Sequence, residues 1–256
     1  MGQSPNRYLD EPRLYTLSTK VAACEALQDG GWAVAGTETI FRPEGGGQPR
    51  DHGTVEFHGA TYRVSDIHKE NGRTFVHLPD LGDQPERGQS INMMVNANRR
   101  DRLSRLHTLQ HLFSSTTYRV LPKAEILDTG IHEDASSGWI TLAGGISAEQ
   151  DWCEIDRRVR STVLADVPVR TRKMKSIEQC KWDYGSIFRH DSSAVLSGKV
   201  RVVIIEGIDA NCCSGTHWCT SNVGPYEMQA SPQDKAGLPV RLDFHLRNTW
   251  MYWYGP

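Results

Sequence analysis

A change in the spacing of apolar residues near position 97 constrains the fold of this chain more than any other feature. Before it, apolar residues alternate in the segments 54–59, 60–67 and 73–78, which is the pattern of half-buried β-strands. After it, they recur at helical spacing as far as Pro122, which limits the helix. The helical positions are Leu103, Leu106, Leu109, Leu112 and Phe113. Strands and helices in this order predict an α+β fold rather than a doubly wound sheet.

The N-terminal region is predicted to be a small β-rich domain. Asn71-Gly72 lies between two alternating runs and is a strong hairpin signal. The stretch 78–89 contains Gly, Pro and charged residues, and it predicts a loop or a boundary. A chain of 256 residues has room for one large domain or two modest ones. We therefore expect a β-rich domain over 1–90 and a second domain over 91–256.

The second domain is predicted to mix strands and helices. A helix that starts at Ser147, with Gln150 completing a capping box, is expected to run toward Pro168. Its apolar face would contain Trp152, Ile155, Val159 and Val163. Strands are predicted over 138–145, 167–175, 198–208 and 239–248.

Two pairs of residues in this second domain can bind a metal. His107 and His111 are four residues apart on the predicted helix, so both imidazoles lie on one face. Cys213 and His217 follow a strongly apolar strand, and Ser214 with Gly215 permits a tight turn between them. Three imidazoles and one thiolate form a ligand set that suits zinc. Such a site is either catalytic, with an open coordination position, or structural, with a closed tetrahedron.

A glycine-rich segment, FRPEGGGQPRDHG at 41–53, is the third motif. Consecutive glycines cost conformational entropy when they are ordered. Between two prolines they indicate a loop that something approaches closely, and their backbone N–H groups could meet a phosphate or an ester. The alternative is a tight turn between strands.

Together, HTLQH (107–111), CSGTH (213–217) and the glycine-rich segment resemble the editing domain of alanyl-tRNA synthetases and the free-standing AlaX proteins, in their medium-length form. The resemblance covers nearly the whole chain. It implies a small N-terminal β-barrel-like domain followed by an α/β editing core. It also implies Zn²⁺ as cofactor and hydrolysis of tRNA that is wrongly charged with serine or glycine.

Carried over residue by residue, the resemblance makes His107, His111, Cys213 and His217 the zinc ligands. Thr108 falls near the amino-acid pocket, and Thr129-Gly130 falls at a glycine turn that lines it; both threonines are therefore catalytic candidates, with helix or turn packing as the alternative. Gly45, Gly46, Gly47 and Gln48 would approach the acceptor end of the tRNA.

The chain also departs from the family pattern. Ser214 replaces the first glycine of CGGTH, Cys212 adds a thiol, and Trp139-Ile140-Thr141-Leu142 replaces an Ile-Asp-Phe pattern. The tail carries Trp250, Tyr252, Trp253 and Tyr254, which could stack on a base or cover the core. These changes leave the ligand set intact and alter the expected pocket.

Three functions follow as hypotheses. The first is zinc-dependent deacylation of a mischarged aminoacyl-tRNA by water, with Glu44 and Asp51 as candidate bases by proximity in sequence. The second is transfer of the aminoacyl group from tRNA to a small-molecule acceptor in specialised metabolism. The third is a non-catalytic tRNA-binding module with a structural zinc.

Composition bears on the partner and the compartment. With a net charge of −2, RNA binding needs a local basic patch. The candidates are Arg99, Arg100, Arg102 and Arg105, and then Arg170, Arg172, Lys173 and Lys175. No run approaches the ~18 apolar residues of a membrane span, and no secretory signal is recognisable. Six unevenly spaced cysteines favour a reducing, cytoplasmic setting.

Overall fold

The computed structural model describes residues 5–144, 149–189, 195–196, 199–231 and 239–247. The helices in these residues are α1 (Ala97–Val120), α2 (Glu149–Leu164) and α3 (Ile177–Tyr184). The strands are β1 (Thr16–Ala26), β2 (Trp32–Gly36), β3 (Gly53–Phe57), β4 (Ala60–Arg63), β5 (Asp66–Glu70), β6 (Arg73–Leu78), β7 (Ser90–Val95), β8 (Glu125–Ile131), β9 (Ser137–Ala143), β10 (Val169–Met174), β11 (Phe188–Arg189), β12 (Val195–Leu196), β13 (Lys199–Ile205), β14 (Asp209–Cys212), β15 (Tyr226–Ala230) and β16 (Val240–Leu246). The expected α+β class is confirmed.

The chain forms two compact units, one of residues 1–45 with 49–101 and the other of residues 46–48 with 102–256. We call them the N-terminal unit and the second unit. In the N-terminal unit seven strands form one antiparallel sheet in the order β4-β3-β7-β1-β2-β6-β5. The long strand β1 pairs with β7 through its first half and with β2 through its second half, and the register shifts between Val21 and Ala23. A bulge of this kind bends a strand, so the sheet curls into a half-barrel around its own apolar core.

Two tight turns organise this sheet. Asn71 and Gly72 have φ values of 48° and 78° and connect β5 to β6 as a two-residue hairpin, which confirms the sequence prediction. His58 and Gly59 have φ values of 49° and 78° and make a second such hairpin between β3 and β4. The single strand expected over 60–67 is wrong in detail, because β4 ends at Arg63 and β5 begins at Asp66.

Helix α1 has the predicted bounds. The Oδ1 of Asn96 accepts a hydrogen bond from the backbone N of Arg99 (3.0 Å), which is the usual N-terminal cap of a helix. All side chains from Leu103 to Phe113 are buried, the polar ones included. This part of α1 is therefore a central helix with no solvated face.

The first basic patch expected from the sequence is not an exposed surface. In the N-terminal unit Arg100 is fully buried against Asp51, and the Nε of Arg99 donates to the carbonyl of Arg50. In the second unit the buried Arg105 donates twice to the carbonyl of Val223 (2.9 and 2.7 Å). These guanidiniums are held by carbonyls and a carboxylate, so an RNA phosphate would have to displace those acceptors. The second patch, on and beside β10, is exposed.

The second unit contains two sheets. One is antiparallel with the order β15-β16-β9-β8, and the other has the order β10-β13-β14-β11 with β12 paired to β13. Strand β11 lies parallel to β14, and β10 lies antiparallel to β13. The apolar faces of α1, α2 and the first sheet form the main core, around Phe113, Ile140 and Phe244.

Several predictions in this unit are refined. The strand expected over 198–208 ends at Ile205, and a turn leads into β14. Thr129 and Gly130 were expected in a turn, but both lie inside strand β8 and pair with Ile140 and Trp139. Helix α3 was not predicted; the hydroxyl of Ser176 caps it by accepting from the backbone N of Gln179 (3.2 Å). Ser147 and the tail aromatics Trp250, Tyr252, Trp253 and Tyr254 lie outside the described residues.

Among the described residues, no helix is both long enough and apolar enough to span a bilayer.

Candidate metal centre

Four side chains of the second unit converge at one buried point. His107 and His111 come from the middle of α1, and Cys213 and His217 come from the loop that follows β14. One potential ligand atom from each lies within 4.8 Å of the others, and all four residues are buried. The Sγ of Cys213 is 3.3 Å from the Nε2 of His217 and 3.7 Å from the Nε2 of His107. The cluster expected from the sequence is therefore assembled, and it could hold a metal ion.

Each imidazole presents one nitrogen to the cluster and is held through the other. The Nδ1 of His107 is 2.8 Å from the Oε1 of Gln48, and the Nδ1 of His111 is 2.7 Å from the Oδ2 of Asp209. Amide and carboxylate oxygens only accept, so both Nδ1 atoms carry a proton and Nε2 is the nitrogen that each ring can offer to a metal. The Nδ1 of His217 is 3.4 Å from the Thr108 hydroxyl. This arrangement of outer partners is the one seen around metal-bound histidines.

The loop 213–217 fits the cluster because Gly215 has no side chain. A Cβ at this position would overlap the imidazole of His107 and lie 2.9 Å from the Oε1 of Gln48. The backbone N of Gly215 donates to the Cys213 Sγ at 3.2 Å, which favours the thiolate. Ser214 is only half-buried, so the departure from the family pattern falls at the position of the loop that can accept a side chain.

The electrostatics of the cluster follow from burial and mutual proximity. Burial would raise the pKa of the Cys213 thiol, but the imidazoles of His107 and His217 bring that pKa well below its usual value. Burial, assisted by the neighbouring His107, lowers the pKa of His217 well below its usual value. Burial opposes the charged form of His111 as well, yet its hydrogen bonds with Asp209 and Cys213 raise its pKa to about 9. A thiolate and neutral imidazoles are the forms that bind a metal.

Thr108 is placed at the cluster, with its hydroxyl engaged by the protein. The Oγ1 accepts from the backbone N of Trp218 (3.1 Å) and lies 3.0 Å from the carbonyls of Ser104 and Trp218. The side chain is fully buried. Thr108 therefore ties the 213–217 loop to α1 and orients His217.

The part of the glycine-rich segment that belongs to the second unit lies against α1 and β8. Gly46 and Gly47 have φ values of 56° and 74°, which glycine tolerates best. A Cβ at Gly47 would lie 3.0 Å from the Nε2 of Gln110 and 3.1 Å from the carbonyl O of Thr129. That amide of Gln110 also donates to the Thr129 hydroxyl. The structure thus brings together Gly47, Thr129 and Gly130, which were predicted separately from the sequence.

Two predicted site residues have different surroundings from those expected. Gln48 is buried, and its Oε1 also accepts from the backbone N of Thr216 (3.0 Å), so its amide holds the metal cluster and the 213–217 loop. In the N-terminal unit Gly45 is exposed, and its carbonyl accepts from Arg42.

The two candidate bases, Asp51 and Glu44, have different surroundings. The Asp51 carboxylate is buried and accepts from Arg100 and from the backbone N of Arg42 (2.6 Å), so it serves the fold of the N-terminal unit. Glu44 is exposed.

Sequence reasoning missed the residues that orient the ligands. Asp209 was not singled out, although an acidic residue directly after an apolar strand is an available signal. Gln110, Ser104 and Thr216 carry no such signal, because a buried polar residue on a helix or in a loop looks like any other until its partner is known. Ser104 and Thr216 are hydrogen-bonded to each other through their hydroxyls at 2.7 Å.

The fold and the site define a mixed α+β protein with a buried His₃Cys group that could bind a metal. No family model matches the chain. Its sequence is 33% identical over 234 residues to the alanine–tRNA ligase of Methanopyrus kandleri, which covers 90% of this chain and 25% of that protein. The alanine–tRNA ligase of Caldivirga maquilingensis is 30% identical over 226 residues, with shares of 86% and 24%. That of Methanococcus maripaludis strain C5 is 35% identical over 210 residues, with shares of 81% and 22%.

The chain is therefore homologous to one segment of the alanine–tRNA ligases, and the resemblance to this group inferred from its motifs is confirmed. It spans about a quarter of the length of these relatives.

Proposed function

We propose that this chain removes an amino acid from a wrongly charged tRNA, with zinc in the His107, His111, Cys213 and His217 cluster. The observation that carries the proposal is the presence of this complete buried donor set in a chain homologous to a segment of alanine–tRNA ligases. By resemblance, the corresponding segment edits tRNA-Ala that carries serine or glycine. The division into a β-rich domain over 1–90 and an editing-type core over 91–256, and a cytoplasmic location, belong to the same proposal.

The donor set supports zinc over other ions. Imidazole nitrogen and thiolate are typical zinc ligands, at about 2.0–2.1 Å and 2.3 Å, so the edges of such a tetrahedron are about 3.3–3.6 Å long. The two nitrogen-to-sulfur distances, 3.3 and 3.7 Å, are close to these edges. Calcium and magnesium prefer oxygen ligands, and none of the four donors is an oxygen. Zinc bound here would supply Lewis-acid chemistry to an ester carbonyl or to water.

The chain's own residues would prepare the site. Gln48 and Asp209 hold the protons of His107 and His111 on Nδ1, which keeps both Nε2 lone pairs directed at the cluster. Thr108 orients His217 through its hydroxyl. These contacts fix the ligands before a substrate arrives, and this preorganisation supports catalysis as well as binding.

The substrate would approach over the glycine-rich segment. Gly45 and Gly46 are exposed, and neither they nor Gly47 has a side chain, so the backbone can come close to the acceptor end of a tRNA. Thr129 and Gly130 are proposed to line the amino-acid pocket beside Gly47. Gln48 is better assigned to orienting His107 than to the tRNA, because its amide is buried at the cluster.

Deacylation assays test this proposal. Zinc-loaded protein is incubated with tRNA-Ala charged with serine, glycine or alanine, and the released amino acid is measured. We expect release of serine or glycine that is abolished in Cys213→Ala and retained in Cys153→Ala, because Cys153 is an exposed cysteine outside the cluster.

Three results would contradict it. If the esters of all three charged tRNAs remained intact, the protein would not be a hydrolase of these substrates. A conjugate with an added small-molecule acceptor, in place of free amino acid, would replace hydrolysis by transfer. Equal release of amino acid by wild type and by a folded Cys213→Ala variant would show that the metal cluster is not required for the reaction.

A further inference from the structure

A second site is suggested by a cavity whose lining includes none of the four cluster residues. It lies in the second unit, between the end of α1 and the segment that follows α3, and its volume is about 430 Å³. Its polar lining consists of Tyr118, Arg119, Ser115, Ser186 and Arg189. Cavities that bind small molecules have volumes of about 300–1,000 Å³. The cavity is therefore large enough for a ligand of nucleotide size.

Arg189 is held in a fixed position at this cavity. Its Nη2 donates to the Ser115 hydroxyl (2.8 Å) and to the Oδ1 of Asp209, and its guanidinium lies 5.0 Å from the centre of the Tyr118 ring. In the part of the chain that the structure describes, its Nε and Nη1 have no protein acceptor. The side chain is 19% exposed. The guanidinium is thus held through Nη2 and can offer donors from Nε and Nη1.

Arg119 supplies a second guanidinium in the same way. Its Nη2 donates to the carbonyls of Gly207 (3.0 Å) and Ile208 (2.6 Å), and the residue is exposed. Among the described residues its remaining nitrogens likewise find no acceptor. Neither carbonyl cancels the charge, so Arg119 contributes a full positive charge to the cavity.

The remaining lining favours an anion with several oxygens. Ser186 and Tyr118 are exposed and offer hydroxyl donors. Within the described residues no carboxylate lines the cavity, and Asp209, which pairs with Arg189, is buried behind it. Two guanidiniums surrounded by hydroxyls match a tetrahedral phosphate group, whose oxygens point in different directions, whereas the two oxygens of a carboxylate lie in one plane.

We propose that this cavity binds the phosphate group of a phosphate ester, with Arg119 and Arg189 as its main contacts. The ester is either a phosphomonoester of a small molecule, with three terminal oxygens, or a phosphodiester of an RNA strand, with two. Both present anionic phosphate oxygens to the guanidiniums. This site does not depend on the deacylase proposal, because no residue of the metal cluster takes part in it.

Arg119 is the better position to test, because Arg189 also contacts a partner of the metal cluster. Asp209 accepts from Arg189 with Oδ1 and from His111 with Oδ2, so a change at Arg189 disturbs both sites. Among the described residues, the hydrogen bonds of Arg119 go to backbone carbonyls alone. Arg157 is the matched control: an exposed arginine on α2, where it pairs with Glu154 (2.8 Å).

Calorimetric titration of the full chain tests the proposal with three probes: adenosine 5′-monophosphate, a short RNA hairpin and succinate. We expect at least one phosphate probe to bind, with a tenfold or greater loss of affinity in Arg119→Ala and a change of less than twofold in Arg157→Ala. Arg119→Gln, which keeps the length but not the charge, should behave as Arg119→Ala does. Binding of the mononucleotide identifies a small-molecule phosphate, and binding of the hairpin alone identifies an RNA phosphate.

Several results would overturn the proposal. They are the absence of binding by both phosphate probes, equal losses in Arg119→Ala and Arg157→Ala, and binding of succinate as tight as that of the phosphates. Metal content and unfolding midpoints measured on the same samples show that each variant is folded. A protein that fails the deacylation assay but binds a phosphate probe through Arg119 would separate the two proposals.

Discussion

Each unit buries a polar cluster, and the two clusters differ in what completes them. In the N-terminal unit, the fully buried Arg100 and Asp51 neutralise each other. Arg100 also donates to the carbonyls of Pro12 (3.0 Å) and Ile40 (2.6 Å), and Asp51 accepts from the backbone of Arg42. Donors here face acceptors, so the cluster is complete as protein alone.

The cluster of the second unit is composed differently. Three imidazole nitrogens and a thiolate face one another, and all four offer lone pairs once His111 has released its additional proton. Lone pairs that converge in a buried place repel each other unless a cation or a proton lies between them. Burial of polar groups therefore does not by itself distinguish a structural cluster from a ligand site. The balance of donors and acceptors does.

Removing a ligand gives the largest expected effect. Cys213→Ala deletes the only anionic ligand, so we expect bound zinc to fall from about one per chain to near zero in metal analysis after dialysis. A chelator should then lower the unfolding midpoint of wild type and leave that of Cys213→Ala unchanged, because metal binding to a folded site adds to stability. Cys153→Ala should retain its zinc. Full zinc content in a folded Cys213→Ala would contradict the assignment of the cluster.

Breaking the other cluster should destabilise the protein without involving metal. Asp51→Ala leaves the buried guanidinium of Arg100 uncompensated, which costs about 3–5 kcal/mol in comparable cases. Urea unfolding should show this loss equally with zinc and with chelator. The control is Asp66→Ala, since Asp66 makes an exposed pair with Arg50 at 3.4 Å and such pairs contribute about 0–1 kcal/mol. A loss of stability that appears only with zinc present would show that the Arg100–Asp51 cluster is not complete without the metal.

The contrast between the clusters also shows what sequence reasoning can reach. Spacing at i and i+4 placed His107 and His111 on one helix face, because helix geometry is local. The hairpin at Asn71-Gly72 was predictable for the same reason, since only those residue types adopt its φ values easily. The half-barrel order, helix α3 and the strand position of Gly130 were not, because they depend on tertiary pairing.

The roles of individual polar residues were the hardest to predict. Arg100 and Asp51 belong to two different sequence motifs, and nothing in either motif indicates that they meet. The family resemblance assigned Gln48 to the acceptor end of the tRNA, and in the structure its side chain lies against His107, 59 residues away. Long-range hydrogen bonds of this kind leave no periodic signal in a sequence.

Gln48→Leu removes a hydrogen-bond acceptor from beside the metal cluster but leaves all four ligands in place. The His107 Nδ1 and the Thr216 backbone N would both lose their acceptor. Loss of such outer partners lowers metal affinity by about 10–100-fold. Competition with a fluorescent zinc chelator measures this change, and Gln229→Leu, at an exposed glutamine of β15, should have no effect. An unchanged affinity would show that His107 needs no partner to hold its orientation.

Ser214→Ala should have the smallest effect and separates the two middle positions of the 213–217 loop. In the described part of the chain the Ser214 side chain makes no hydrogen bond, so its loss should change the free energy of unfolding by less than about 0.5 kcal/mol. Zinc affinity should stay within about twofold of wild type. Gly215→Ala, one residue further, should weaken zinc binding strongly, because the added Cβ overlaps the imidazole of His107. If Ser214→Ala weakens zinc binding as much as Gly215→Ala does, the hydroxyl takes part in the cluster and the donor set is larger than four.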